Sequence, residues 1–169
     1  IVLTGSQQPI QMEITDAKKN LYDSIIYAAD KESRGVCVIF DGKVIAGTRA
    51  KKTKSFSYHA FSSINFPDLA SMQHGRIVRY FPCEAEGNQT IFYQAMSQKV
   101  YVLKLTPGIG PEILGPIFKE YSGIIIESFG VGGIPDSILD DFCNLVKQYK
   151  EGSKVIVMTT QVTYEGSNL

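Results

Sequence analysis

Short apolar runs, most of them bounded by glycine, alternate along the chain with segments whose apolar residues recur at helical spacing. This alternation is typical of βαβ units, in which strands form a sheet and the helices between them cover it. The pattern therefore predicts an α/β fold with two mostly parallel layers, one in each half of the chain.

In the first half, residues 1–3 predict a buried strand, and a turn rich in Gly, Ser and Pro leads to a helix that begins near Asp16. Asp16 is a candidate N-cap, since its carboxylate can accept a hydrogen bond from the first helical turn. Four apolar residues at helical spacing predict the buried stripe of this helix: Leu21, Ile25, Ala28 and Ala29.

A β-hairpin is predicted after this helix. Residues 36–40 and 43–46 read as antiparallel strands joined by Asp41-Gly42, a dipeptide that favours tight hairpin turns. Residues 47–66 sustain neither period, and residues 77–81 predict one more short strand. Turn formers then cluster between residues 82 and 98, where we predict a linker. The expected domains are 1–93 and 94–169.

The second half predicts another α/β layer, with strands at residues 100–105, 124–126 and 155–158 and with helices at 111–121 and 137–149. Five apolar residues share one face of the second of these helices: Ile138, Leu139, Phe142, Leu145 and Val146. A helix with one apolar face is expected to pack on a sheet.

The composition is that of a folded globular protein without net charge. Of the 169 residues, 44% are hydrophobic and 20% are charged, which excludes intrinsic disorder. Seventeen basic residues balance seventeen acidic ones, so no net field favours nucleic acid or an anionic membrane as a partner. No apolar run reaches the roughly 18–20 residues of a membrane-spanning helix and no export signal is present, so we expect a cytoplasmic protein.

The cysteines and histidines lack the spacing of a metal site. Cys37, Cys83 and Cys143 are far apart and form no CxxC pair, and His59 and His74 stand alone. We interpret the cysteines as reduced, mostly buried thiols, and we predict neither a metal nor a cofactor.

Three segments carry candidate chemistry, and each also has a purely structural interpretation. Thr4-Gly5-Ser6-Gln7 lies where a strand ends, the usual place for ligand contacts in open parallel sheets, but a structural turn explains it equally well. Gly130-Val131-Gly132-Gly133 either brings backbone amides to a ligand or forms a tight strand-to-helix turn.

The third segment is the basic cluster of Arg49, Lys51, Lys52 and Lys54. A solvated charged surface is the simplest interpretation. In an extended segment, however, side chains alternate, so Lys52 and Lys54 face opposite to Arg49 and Lys51. A lysine that points inward beside an acidic partner can be tuned for proton transfer.

Taken together, these segments resemble the asparaginase/glutaminase family, and more closely its cytosolic bacterial type I branch. The resemblance runs in order along the whole chain, through residues 1–7 with Pro9, then Asp16 with Asn20 and Leu21, then residues 123–132, and finally Thr160-Gln161 with Gly166. It is strongest in residues 40–67, which keep the order and spacing of Gly47, Arg49, Lys52, Ala60-Phe61, Ser63, Asn65 and Pro67.

The resemblance implies hydrolysis of a side-chain amide, asparagine to aspartate and ammonia, through a threonine acyl-enzyme. Lys52 falls at the position of the family's catalytic lysine, and Ser6 falls where the family's backbone contacts the substrate amide. The implied fold is the back part of a flavodoxin-like N-terminal domain and most of a smaller C-terminal α/β domain. The substrate would be asparagine, with glutamine as an alternative, and the assembly a homodimer or a dimer of dimers.

Departures from the family pattern concern the nucleophiles. The family's TGGTI and GTDT motifs, which supply two threonines and an aspartate, do not occur in the 169 residues. Ile1 also reads as the middle of a strand, so we expect a cut chain that is inactive alone. The resemblance also implies that the loop with Gly132 and Gly133 contacts a neighbouring subunit, and Gly133 replaces an asparagine often found in the family's loop.

Two other functions remain open at this point. One is the amidase subunit of a transfer-RNA amidotransferase, which shares the amide chemistry. The other is a non-catalytic α/β binding or regulatory module, which would need no nucleophile.

Overall fold

The computed structural model describes residues 1–82, 93–149 and 154–166. The chain divides into two compact units, Ile1–Thr90 and Ile91–Leu169. Of the linker predicted at residues 82–98, residues 83–92 lie outside the described residues. The domain limits at residues 93 and 94 therefore stay a prediction.

The first unit is built around a five-stranded sheet. Its strands, in the order in which they pair, are β1 (Val2–Leu3), β2 (Cys37–Phe40), β3 (Lys43–Ala46), β6 (Ala70–Gln73) and β7 (Arg76–Arg79). A separate two-stranded hairpin is formed by β4 (Ala50–Lys52) and β5 (Phe61–Ser63). This hairpin lies in the segment whose sequence shows no sustained period.

The predicted α/β class is confirmed, but the expectation of a mostly parallel sheet does not hold for the first unit. Of the pairs described in its five-stranded sheet, β1–β2 is parallel, whereas β2–β3, β3–β6 and β6–β7 are antiparallel. Two-residue turns at Asp41-Gly42 and His74-Gly75 join two of these pairs, and so short a connection can link only antiparallel strands. All four turn residues have positive φ, as such hairpin turns require.

Helix α1 (Ala17–Ala29) begins where the sequence predicts but buries a different face. Leu21 and Ile25 of the predicted buried stripe are 46% and 60% exposed, and Ala28 and Ala29 are exposed as well. The buried positions are instead mostly polar: Ala17, Asn20, Asp23, Ser24 and Tyr27. Hydrogen bonds offset the cost of burying these polar groups. A search for apolar residues at helical spacing therefore does not identify this buried face.

Asp16 occupies the N-cap position of α1, as the sequence predicts, but its carboxylate does not cap the helix. No side-chain cap bond is made by Asp16, and the hydroxyl of Thr15 accepts a hydrogen bond from the N–H of Ala17 (3.0 Å) instead. The carboxylate of Asp16 bonds instead to the loop that precedes the helix.

The core of the first unit lies between α1 and the sheet. Its buried residues are Tyr27, Cys37, Ile39, Val44, Ala70 and Met72. At the end of α1, the backbone N–H of Glu32 donates to the carboxylate of Asp30, and the Arg79 guanidinium pairs with the same group. Both contacts lower the pKa of Asp30 below its usual range.

Gly47, one of the residues that carry the family resemblance, has no space for a side chain. A Cβ at this position would lie 2.9 Å from the carbonyl oxygen of Val36, which also accepts the N–H of Gly47 (2.8 Å). We expect Gly47→Ala to lower the free energy of unfolding by about 1–2 kcal/mol, because a backbone atom must shift. Urea unfolding tests this, with Gly115→Ala as control, since nothing lies within 4 Å of a Cβ there.

The second unit contains a fully parallel sheet of three strands in the order β10 (Val155–Thr160), β9 (Gly123–Ser128) and β8 (Val100–Lys104). A 3₁₀ turn (Pro111–Ile113) leads into α2 (Leu114–Glu120), and α3 (Asp136–Gln148) joins β9 to β10. Every element predicted in this half is present.

The core of the second unit comprises Leu103, Leu105, Leu114, Ile117, Phe118, Ile124, Ile126, Ile138 and Phe142. Of the face predicted for α3, Ile138 and Phe142 are buried, Leu145 and Val146 are partly buried, and Leu139 is 39% exposed.

The cysteines follow the expectation of buried thiols only in part. Cys37 is buried, as expected, but Cys143 is exposed, which corrects the prediction for that residue. Cys83 lies outside the described residues.

Among the described residues, no helix combines the length and the hydropathy that a membrane-spanning segment requires. Among the same residues, no three His, Cys, Asp or Glu side chains are grouped so that they could hold a metal ion.

Candidate active site

The loop that follows β1, residues 4–8, is fixed by hydrogen bonds to β2 and to α1. The hydroxyl of Thr4 donates to the carbonyl of Ile39 in β2 (2.8 Å). The amide nitrogen of Asn20 in α1 donates to the carbonyl of Gly5 (3.0 Å), and its amide oxygen accepts the N–H of Asp41 (2.9 Å). Asn20 is fully buried. Through these two hydrogen bonds its side chain connects the loop, the helix and the β2–β3 turn.

Asp16 holds the other end of the same loop. Its carboxylate accepts hydrogen bonds from the N–H groups of Gln7 (2.9 and 3.0 Å) and Gln8 (3.0 Å), and from the Asn20 side chain (3.1 Å). A charged acceptor makes stronger hydrogen bonds than a neutral one. The backbone around Ser6 is therefore held in a single arrangement.

The β4–β5 hairpin presents Lys52 to this loop. Lys52 pairs with Phe61 in the hairpin, and the Phe61 ring packs on Phe40 of β2 with the ring centroids 5.1 Å apart. The ammonium of Lys52 donates to the side-chain oxygen of Gln7 (2.8 Å). Because side chains alternate along a strand, Lys51 lies on the opposite face of β4.

These residues enclose a cleft of about 360 Å³ in the first unit. It is lined by Leu3, Thr4, Gly5, Ser6, Gln7, Val38, Phe40, Lys52 and Phe61. The cleft combines apolar walls with a few convergent polar groups and one cation, the usual make-up of a site for a small polar molecule. It also lies at the carboxyl end of the parallel strand β1, where ligands bind in open α/β sheets.

The structure thus brings Ser6 and Lys52, two of the residues predicted from the sequence, into one cleft. Gly132 and Gly133 belong to the second unit, in the turn between β9 and α3. Their φ angles of 130° and 128° lie in the region that glycine favours, and the N–H of Gly132 donates to the carbonyl of Phe129 (2.9 Å). These bonds and angles are those of a tight turn.

Two residues of the site are not given a role by sequence reasoning. The side chain of Gln7 contacts Lys52, although 45 positions separate them in the sequence. Asn20 directly precedes Leu21 in α1, and the apolar stripe predicted from Leu21 and Ile25 assigns the buried face of the helix to other positions. Its spacing from Asp16 was the available signal, because residues four apart share one face of a helix.

Two family models match the chain, one for each half. The model described as "Asparaginase, N-terminal" matches residues 1–82, and the "Glutaminase/Asparaginase C-terminal domain" matches residues 99–169. The first match takes in the candidate cleft, and the second takes in the parallel sheet of the second unit.

Individual relatives agree with these matches. L-asparaginase of Thermococcus kodakarensis is 35% identical over 173 residues, covering 100% of this chain and 51% of the relative. A glutamyl-tRNA(Gln) amidotransferase subunit of Methanobrevibacter smithii is 29% identical over 180 residues, covering 100% of this chain and 40% of that protein.

The solved structures give the same result. The thermostable L-asparaginase from Thermococcus kodakarensis superimposes with a TM-score of 0.89 at 33% identity, covering 99% of this chain and 50% of that one. The chain spans about half the length of this L-asparaginase. Sequence, family models and fold all agree, and the chain belongs to the asparaginase family.

Proposed function

We propose that the gene product carrying this chain hydrolyses the side-chain amide of asparagine to aspartate and ammonia. The observation that carries the proposal is the shared cleft of Ser6 and Lys52, because the family resemblance gives these residues the substrate-contacting and catalytic-lysine positions. Glutamine is the alternative substrate, since it carries the same amide on a chain one methylene longer.

In the proposed reaction a threonine hydroxyl attacks the amide carbon, and ammonia leaves as an acyl-enzyme ester forms. Water then attacks the ester, which releases aspartate and regenerates the threonine. A hydroxyl needs a neighbouring base to become a good nucleophile, and Lys52 would shape that proton transfer. Ser6 would position the substrate amide through its backbone. The threonines belong to the TGGTI and GTDT motifs, which these 169 residues do not contain.

The proposal predicts that the 169-residue chain alone releases no ammonia from asparagine, whereas the full-length gene product does. Without a nucleophile the covalent route does not exist, and positioning by the remaining groups cannot replace it. Ammonia release from asparagine, glutamine and unrelated primary amides measures this. A full-length product inert on all of them would favour a non-catalytic binding module and reject the proposal.

A second candidate is the amidase subunit of a transfer-RNA amidotransferase. It is favoured by the similarity to the glutamyl-tRNA(Gln) amidotransferase subunit of Methanobrevibacter smithii, which extends over 100% of this chain. The same amide hydrolysis would then deliver ammonia to another site. Ammonia release that requires a partner protein and transfer RNA would favour this candidate, and release from free asparagine by the purified product alone would favour the first.

The family resemblance also implies a homodimer or a dimer of dimers in the cytoplasm, with each cleft completed by a second subunit. We propose that the loop of residues 130–133 lies near that subunit interface. An interface in the intact oligomer that leaves this loop fully exposed would overturn the proposal.

A further inference from the structure

The side-chain amide of Gln7 connects Lys52 to the loop between β4 and β5. Its nitrogen donates to the carbonyls of Ser55 (2.8 Å) and Ser57 (3.2 Å), and its oxygen accepts from the Lys52 ammonium (2.8 Å). Both N–H groups and one oxygen acceptor site are therefore used. The two carbonyls also fix the orientation of the amide, since only its nitrogen can donate to them.

The backbone of Gln7 is equally well determined. Its N–H donates to the buried carboxylate of Asp16, which also binds the N–H of Gln8 and the side chain of Asn20. The oxygen that Lys52 contacts is therefore held at one place from both sides, through the loop of residues 4–8 and through the carbonyls of the β4–β5 loop.

Lys52 needs such a partner because its ammonium sits on a flexible four-carbon stem. Lysine loses more side-chain entropy on ordering than most residues, and Lys52 is exposed at the cleft. A hydrogen bond to a fixed oxygen restricts the ammonium to one position.

We propose that Gln7 is a positioning residue, which holds the Lys52 ammonium in the cleft and ties it to the β4–β5 loop. The catalytic consequence of this role rests on the proposed amide hydrolysis. The hydrogen bond between Gln7 and Lys52 does not depend on that proposal. A residue that only stabilised the fold would affect all nearby lysines alike when it is replaced. Replacement of Gln7 should instead change the reactivity of Lys52 specifically.

The experiment compares Gln7→Met, which keeps the length of the side chain but removes its hydrogen bonds, with Gln7→Glu, which keeps the acceptor for Lys52. Gln8→Met is the matched control, because Gln8 is the exposed neighbour and does not line the cleft. Competitive acetylation of the full-length gene product with acetic anhydride, followed by mass spectrometry, measures the reactivity of Lys52 against Lys51 and Lys54 in the same sample.

We expect acetylation of Lys52 to rise severalfold in Gln7→Met relative to Lys51 and Lys54, and to stay at or below the wild-type rate in Gln7→Glu and Gln8→Met. On asparagine, kcat of Gln7→Met should fall about tenfold with little change in KM, the effect of losing a hydrogen bond to a charged group. Equal acetylation of Lys52 in Gln7→Met and wild type, or an equal rise at all three lysines, would overturn the proposal.

The acetylation measurement and the kinetics on asparagine distinguish failure of the Gln7 proposal from failure of the proposed amide hydrolysis. A wild-type product that releases no ammonia rejects the proposed function, while the acetylation of Lys52 still decides whether Gln7 holds it. Active wild type with unchanged kcat in Gln7→Met rejects the positioning role and leaves the proposed function standing.

Discussion

Lys52→Ala in the full-length gene product should lower kcat for asparagine by about 10²–10⁴, the usual contribution of a group that takes part in proton transfer. The substitution removes the lysine that lines the cleft beside Ser6. Folding should survive, because Lys52 is exposed and little packing is lost with its side chain. Steady-state kinetics together with circular dichroism separate the two effects.

Lys51→Ala and Lys54→Ala are the matched controls for this experiment. Lys51 lies on the opposite face of β4, and Lys54 lies two residues farther along the chain and does not line the same cleft. Each should retain nearly all of the wild-type kcat. If Lys51→Ala were the damaging variant, the orientation of β4 and the role of Lys52 would both be wrong.

Asn20→Ala should produce the largest loss of stability among the polar residues of the first unit, about 2–5 kcal/mol. Truncation leaves the carbonyl of Gly5 and the N–H of Asp41 without the partner they have in the native fold, and a buried unpaired group costs about 1–3 kcal/mol. It also removes one of the donors to Asp16. Hydrogen exchange at the amides of β2 measures the loss within the first unit.

Ser24→Ala provides the comparison, since Ser24 is buried on the same helix and its hydroxyl donates to the carbonyl of Asn20 (2.7 Å). That carbonyl lies inside α1, where backbone bonding continues without the hydroxyl, so the expected cost is about 1 kcal/mol or less. Equal losses for the two variants would mean that burial alone, and not the connection through Asn20, accounts for the effect.

The second unit could be predicted almost completely because the apolar pattern of its sequence matches the positions that the fold buries. Residues 124–126 and 155–158 are strands of a parallel sheet, and continuous apolar runs mark such strands directly. In α3, Ile138 and Phe142 are four residues apart and are both buried in the core, as an amphipathic period requires.

The first unit could be predicted only in part, because polar contacts decide its arrangement. Leu21 and Ile25 suggest a misleading stripe for α1, whereas Asn20 and Asp23 occupy the buried face. The pairing of Lys52 with Gln7 joins residues 45 positions apart, and no local period reports such a contact. Ser6 and Lys52 could be named from the sequence only through the family resemblance.

The central claim is that the cleft of the first unit is the active site. A crystal structure of the full-length gene product with bound aspartate tests it most directly, since aspartate is the proposed reaction product. We predict that aspartate lies in the cleft of the first unit, against the backbone of Ser6 and within reach of Lys52. Aspartate bound at any other place, with this cleft empty, would contradict the assignment of the cleft as the active site.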